Sequence, residues 1–263
     1  MKISFIGGGV MANAMITGIL KRKILSGSDI CVSDSDTEKL AVFAEQNILT
    51  THNNQEAVDF SDYIFLTIKP QQFLEVIPNL LNTKEKVFIT VSPGISTHYV
   101  ASKLGGAKVI RTMPNTPALI GEGVTAVCRG ENVPEQDFQF VKKLLSCFST
   151  VFELKESQMN DAVALSGSSP AYTYMFAEAI AKHSATCGID FDTALKMAAL
   201  TIIGSAKMIL QSGDLPSTLR DKVCSKGGTT EKAVEQLNEL GFAETISKAM
   251  EACTKRAKEL SIE

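Results

Sequence analysis

The sequence predicts an α/β fold in two parts: an alternating strand–helix half over residues 1–155 and an all-helical half over residues 156–263. Three observations carry this. Short apolar strands alternate with stretches of helical spacing up to about residue 155, the pattern of a parallel sheet with helices on both faces. A glycine-rich turn directly follows the first of those strands. Beyond residue 155 the strand signals stop and only helical periodicity remains.

In chain order, KISFI (residues 2–6) leads into glycines, and residues 11–23 carry helical spacing. DICVSD (29–34), SDYIFLTI (61–68), KVFITVS (86–92) and KVIRTMP (108–114) are further strands, with helical segments between most of them. GVTAVCR (123–129) and TVFEL (150–154) read as later strands closing an edge of the sheet. Helices are predicted over residues 170–187, 192–211, 231–240 and 243–260. PAYTYMFAEAIA and ALKMAALTIIGSAKMIL are apolar almost all the way round, and such helices are normally buried on every face. A helical half this small hardly encloses two of them, which implies a subunit interface and a homodimer or a larger oligomer of dimers.

Composition narrows the function. The chain has 263 residues, 44% hydrophobic and 21% charged, and its net charge of −3 offers no footprint for nucleic acid. The opening apolar strand is too short for a signal-peptide core. Residues 194–210 are the most membrane-like stretch; they carry Lys196 and Lys207 and read as short of a span, so no membrane partner is expected. Cys31, Cys128, Cys147, Cys187, Cys224 and Cys253 have no metal-type spacing, which points to free thiols, no metal site and a cytoplasmic protein.

Gly7, Gly9 and Ala12 form G-x-G-x-x-A between a strand and a helix. Gly7 permits the tight turn, Gly9 lets the backbone approach a pyrophosphate, and Ala12 keeps the helix close to the sheet. The first half is therefore a Rossmann-type dinucleotide-binding domain. VSDSD ends the second strand with Asp34, whose carboxylate suits a ribose 2′-hydroxyl and repels a 2′-phosphate. No arginine stands nearby, so the cofactor is NADPH or NADH with the balance towards NADH. Asp36 alternatively just caps the next helix.

Four further segments occur in order: TIKP (67–70), RTMPNTPALIGEG (111–123), SGSSPAY (166–172) and DKVCSKGGTTEKAV (221–234). With the glycine motif, they resemble the pyrroline-5-carboxylate reductases over essentially the whole chain. The resemblance implies reduction of 1-pyrroline-5-carboxylate to L-proline with NAD(P)H, the last step of proline biosynthesis, and a helical half that serves dimerisation and substrate binding. It places Ile6, Gly7, Gly8, Gly9, Val10 and Met11 along the pyrophosphate, and Asp34 and Asn54 near the adenosine ribose. Thr67, Ile68, Lys69 and Pro70, with Val91, Ser92 and Pro93, would border the rest of the cofactor, and Asn115 would lie close to the nicotinamide. Many members carry an alanine pair where this chain has Ser92-Pro93, and Pro93 cannot donate a backbone N–H.

The same resemblance implies that Thr229 and Thr230 hold the substrate carboxylate through their amides at a helix start, with Gly228 and Ser225 completing the cradle. The Thr230 hydroxyl either reaches the imine nitrogen as a catalytic group or serves only as a helix cap. An imine protonates readily, so positioning and charge complementarity suffice without a strong acid. His52, His98 and His183 lie outside these motifs; His52 and His98 read as loop or helix-edge residues and His183 as packed or at an interface. Cys224 has no histidine partner in sequence reach, and Asp221 and Lys222 either approach the nicotinamide or are simply solvated. In SGSSPAY, Ser168 or Ser169 would cap a helix whose first residue is Pro170, with proximity to the substrate a secondary role.

Two other functions suit the same architecture. A hydroxyacid or ketopantoate-type dehydrogenase would need a lysine acid, and Lys182, Lys196 and Lys207 sit in no such motif. A non-catalytic nucleotide-binding protein would have no use for intact GGTT and MPNTP segments.

Overall fold

The computed structural model describes residues 1–261. By internal contacts the chain forms two compact units, Met1–Ser168 with Ala252–Glu263, and Ser169–Glu251.

The first unit is a single sheet flanked by helices. Its elements are β1 (Ile3–Ile6), α1 (Val10–Lys21), β2 (Ile30–Ser33), α2 (Thr37–Ala44), β3 (Leu49–Thr51), α3 (Asn54–Phe60), β4 (Tyr63–Leu66), α4 (Pro70–Val76), β5 (Val87–Thr90), α5 (Thr97–Lys103), β6 (Lys108–Met113), β7 (Gly123–Arg129), α6 (Glu135–Leu145) and β8 (Ser149–Glu153). The strand order is β3-β2-β1-β4-β5-β6-β7-β8. Strands β1 to β6 are mutually parallel, β7 runs antiparallel to β6, and β8 pairs parallel with β7. The order reverses direction between β1 and β4, which opens a crevice at the carboxyl ends of those strands, the usual dinucleotide position.

Period-2 alternation divides the core between the two faces. Ile3 and Phe5 of β1 join Ile16, Ile19, Phe43, Phe138 and Phe148 on one face, and Phe5 stacks on Phe65 with ring centroids 4.7 Å apart. Ile6 of β1 joins Val58, Ile64, Phe73, Phe88 and Tyr99 on the other. Each such fully buried large side chain contributes roughly 1.5–3 kcal/mol. Strand β3, which the sequence did not announce, is a three-residue edge strand with no buried position.

Past β8 the chain stays helical: α7 (Met159–Ala162) runs into a π turn, Val163–Gly167, closed by the Ser168 N–H on the Val163 carbonyl at 2.8 Å. The second unit holds α8 (Ser169–Thr186), α9 (Phe191–Gln211), α10 (Pro216–Val223) and α11 (Thr229–Glu239). Helix α12 (Phe242–Glu259) begins there and ends in the first unit. Pro170 is the second residue of α8, not its first, so the expected first-position proline is displaced by one. Helix α9 has 21 residues and is, by length and composition alone, long and apolar enough to cross a membrane, which corrects the expectation that this stretch falls short. Within one chain it is mostly uncovered: Met197, Leu200, Ile203, Met208, Ile209 and Leu210 are each at least half exposed.

Candidate functional site

The crevice rim is wired from strand to strand. Gly7, at φ +102°, donates its N–H to the Ser33 carbonyl at 2.7 Å, which joins β1 to β2. A Cβ at Gly7 would stand 2.9 Å from the Thr67 carbonyl, so only glycine fits. The Thr67 hydroxyl donates to the Gly7 carbonyl at 2.6 Å, Ser92 Oγ donates to the Ile68 carbonyl at 2.8 Å, and Thr112 Oγ1 donates to the Thr90 carbonyl at 3.0 Å. Carbonyl-directed hydroxyls thus hold the ends of β1, β4, β5 and β6 in one line. Lys69 precedes α4, which opens on Pro70, and its N–H donates to Gln72 Oε1 at 3.1 Å.

Gly9 caps α1 with no side-chain bond, and a Cβ there would meet nothing within 4 Å. The orphan N–H groups at the start of α1 therefore lie beside open space, the arrangement a pyrophosphate needs, so the residues present fit a dinucleotide. Val10 is exposed on that first turn, while Ile6 and Ala12 are buried beneath it.

Asp34 is more occupied than its sequence position suggests. Gly8 N–H donates to Oδ2 at 2.7 Å and Asp36 N–H donates to Oδ1 at 2.9 Å. Lys39 Nζ is 3.6 Å from Oδ1. No arginine is needed to bring positive charge here; a lysine from the first turn of α2 supplies it. Asp36 does cap α2, accepting from the Glu38 and Lys39 N–H groups, and the Lys39 N–H foremost among these bonds holds its carboxyl below the usual range. Asn54 Oδ1 accepts from Ser33 Oγ at 2.6 Å, and His52 Nδ1 is 2.9 Å from the Asp34 carbonyl. Sequence reading passed over Lys39 and set His52 aside as a loop or helix-edge residue. The three-residue spacing from Asp36 to Lys39 on a helix was the available signal for the first.

Asn115 is buried where β6 gives way to the Thr116–Ile120 turn, with both ends of its amide used. Its Nδ2 donates to the Ser166 carbonyl in the π turn at 3.1 Å, and its Oδ1 accepts from the Val124 N–H at 2.9 Å. Gly7–Met11, Asp34, Asn54, Thr67–Pro70, Val91–Pro93 and Asn115 all lie at or just past the carboxyl ends of β1 to β6, within the first unit.

The second unit presents the GGTT segment at the start of α11. The cap is Gly228, in extended conformation and without a side-chain bond, so Thr229 and Thr230 are the first two helical residues. This corrects the capping alternative: neither threonine hydroxyl caps the helix, because the chain enters the helix one residue earlier. Their backbone N–H groups have no acceptor among the described residues. Gly228 donates to the Ser225 carbonyl at 2.9 Å, and a Cβ at Gly228 would stand 2.5 Å from Ser225 Oγ. Gly227, at φ +72°, donates its N–H to Glu231 Oε2 at 2.6 Å. A free pair of helix-start amides is a carboxylate receptor.

Other sequence candidates are placed as follows. Ser168 Oγ accepts from the Cys253 thiol at 3.3 Å, just before α8. His183 is exposed on α8, 3.9 Å from Cys187 Sγ, so within one chain it is not packed. All six cysteines are free, and burial pushes the Cys31 and Cys128 thiols up to about 12.

Residues 156–260 match the family model described as pyrroline-5-carboxylate reductase dimerisation, and residues 2–94 match one described as NADP oxidoreductase, coenzyme F420-dependent. A pyrroline-5-carboxylate reductase of Haemophilus influenzae is 38% identical over 263 residues, covering 98% of this chain and 97% of its own. The solved structure of a pyrroline-5-carboxylate reductase from Coxiella burnetii has a TM-score of 0.91 at 31% identity, covering 100% of this chain and 99% of that one. The Plasmodium falciparum pyrroline carboxylate reductase with NADP bound has a TM-score of 0.92 at 26% identity, covering 100% and 98%.

Proposed function

The chain belongs to the pyrroline-5-carboxylate reductase family, and on that premise we propose how its residues divide the work. The reaction is reduction of 1-pyrroline-5-carboxylate to L-proline, the last step of proline biosynthesis. NAD(P)H, when bound, supplies the hydride.

Gly7–Met11 hold the pyrophosphate through the free amides of α1, and the observation that carries this assignment is the open space beside Gly9 at an uncapped helix start. Asp34 and Asn54 meet the adenosine ribose, Thr67–Pro70 and Val91–Pro93 line the remainder, and Asn115 sets the nicotinamide end. In the helical unit, Thr229 and Thr230 N–H groups bind the substrate carboxylate, with Ser225 and Gly228 shaping the turn. The Thr230 hydroxyl, left free of a capping role, is available to the imine nitrogen. An imine protonates readily, so catalysis proceeds by positioning and charge complementarity without a strong acid.

By role, residues 1–155 serve as the dinucleotide domain and 156–263 as the dimerisation and substrate domain, although by internal contacts the segments before Ser169 and after Glu251 belong to the compact unit of the sheet. The exposed apolar faces of α8 and α9, including Tyr174, Met175, Phe176, Leu200 and Ile203, are covered by a second copy of the chain. The enzyme works in the cytoplasm as a homodimer or an oligomer of dimers.

The direct test is purified protein with 1-pyrroline-5-carboxylate and each reduced cofactor, followed by loss of nicotinamide absorbance. Turnover is expected; none with either cofactor overturns the reading.

A further inference from the structure

Arg111 begins the MPNTP-bearing segment and belongs to neither the cofactor-binding nor the substrate-binding set. It sits on β6 and is 3% exposed. One terminal nitrogen meets Glu156 Oε1 at 2.6 Å, and the other donates to Asn160 Oδ1 at 2.6 Å. Its Nε is buried without a partner. An arginine this deep with an orphaned donor is a poor source of stability, since each unmade buried bond costs about 1–3 kcal/mol.

Its two partners lead to the same loop. Glu156 Oε2 accepts from Thr97 Oγ1 at 3.0 Å, at the first residue of α5. Asn160 Nδ2 donates to Ser261 Oγ at 3.3 Å, just past α12. The Leu260–Ser261 backbone in turn lies against Gly94: a Cβ there would stand 2.8 Å from the Leu260 carbonyl carbon and 2.9 Å from the Ser261 nitrogen. Gly94, at φ +75°, follows Val91-Ser92-Pro93 directly. The loop from Val91 to Thr97 is therefore held by Ser92 on Ile68, backed at Gly94, and tied at Thr97. The second and third restraints converge on one guanidinium. The strand carrying that guanidinium also leads into Asn115, which clasps the π turn.

We infer that Arg111 is a positioning residue: through Glu156–Thr97 and Asn160–Ser261 it fixes the 91–97 loop relative to Asn115, and so sets the wall against which the nicotinamide half of the cofactor lies. This rests on the reading that Val91–Pro93 and Asn115 border that half. Arginine suits the task because its rigid planar fork holds Glu156 and Asn160 on two separate nitrogens, a fixed spacing that the single, rotatable ammonium of lysine does not impose.

The test compares Arg111→Lys, Asn160→Ala and Ser261→Ala with Gly94→Ala, measuring NAD(P)H turnover and the Kd of ADP-ribose, which lacks the nicotinamide. Arg111→Lys and Asn160→Ala are expected to lower kcat by about tenfold or more, given how steeply misplacement slows reaction, with a smaller loss for Ser261→Ala. ADP-ribose binding is expected to stay within about twofold of the parent in all three. A merely structural role would weaken ADP-ribose binding in parallel or leave both measurements unchanged, and either result overturns the inference. If Gly94→Ala perturbs turnover while the network variants do not, the positioning role alone fails. If Gly94→Ala also leaves turnover untouched, the cofactor-wall reading is what fails. Should Arg111→Lys not fold, the half-buried Asn160 and Ser261 variants decide the matter.

Discussion

Replacing Asp34 by asparagine separates two jobs that its carboxylate holds. One is structural: its oxygens accept the Gly8 and Asp36 N–H groups at 2.7 and 2.9 Å, with the side chain 11% exposed. The other is discrimination against a 2′-phosphate. Asparagine keeps one acceptor oxygen for the glycine loop and removes the charge, whereas serine replaces both carboxylate oxygens by one hydroxyl on a shorter side chain. A unit charge about 4 Å from a phosphate charge is worth about 1 kcal/mol in water and about 4 kcal/mol at the effective dielectric near a protein surface. Lys39, 3.6 Å from Oδ1, offsets part of that repulsion and places the effect towards the lower end. Asp34→Asn should therefore raise the NADPH-to-NADH ratio of kcat/KM by roughly 5- to 30-fold, at about 1.4 kcal/mol per decade. Steady-state kinetics with both cofactors reads this directly. Asp34→Ser should shift the ratio similarly but weaken both cofactors, because the Gly8 amide loses a charge-assisted bond worth about 1.5–3 kcal/mol. An unchanged ratio in Asp34→Asn refutes the discriminating role and leaves Asp34 as a strut of the loop.

Further outcomes follow from the same geometry. Gly7→Ala, forced into φ +102° and against the Thr67 carbonyl, should lose about 1–3 kcal/mol of stability in urea unfolding, whereas Gly9→Ala, with nothing within 4 Å, should unfold like the parent yet bind NAD(P)H at least about tenfold more weakly. Equal stability of the two variants would contradict the assignment. Thr230→Ala should cut turnover and Thr230→Ser largely preserve it; with the capping role gone, parity among all three proteins would remove the hydroxyl from the chemistry. The Cys31 and Cys128 thiols are raised from 9.0 to about 12 in the folded state, chiefly by burial. The unfolded chain releases those protons first, so the stability they contribute is intact below pH 9.0 and declines as pH climbs towards 12, by about 1.4 kcal/mol per pH unit and thiol. Cys31→Ala should flatten that decline, and a slope identical to the parent's would exclude the thiol as its source.

Much of the sheet was readable because buried parallel strands are near-continuous apolar runs, as in Ile3–Ile6 and Tyr63–Leu66. Strand β3 escaped because Leu49-Thr50-Thr51 is an edge strand without a buried residue to show alternation. Helix α10 escaped for the same reason, since Pro216–Val223 is largely polar and buries nothing in its own chain. The π turn at Val163–Gly167 has the composition of ordinary helix; the clasp from Asn115, a residue some fifty positions away, marks it only in three dimensions. At GGTT the residue types left threonine caps open as an alternative to the amide cradle, but the backbone enters the helix at Gly228, a choice that hydroxyl preferences do not encode. Asp34 illustrates the same limit: sequence supplies the charge, and folding decides which donors have already claimed it.

Helix α12 starts in one unit and finishes in the other, so the unit that carries the glycine loop is not one uninterrupted stretch of the gene. During synthesis, Met1–Ser168 emerges from the ribosome well before Leu260 and Ser261 arrive to back Gly94. The cofactor-side loop must wait, half-supported, until nearly the whole helical portion has been translated. A fragment cut after Ser168 would keep the sheet and the pyrophosphate turn but lose that late-arriving buttress, so anyone seeking a minimal dinucleotide-binding piece would have to graft residues 252–261 back onto it.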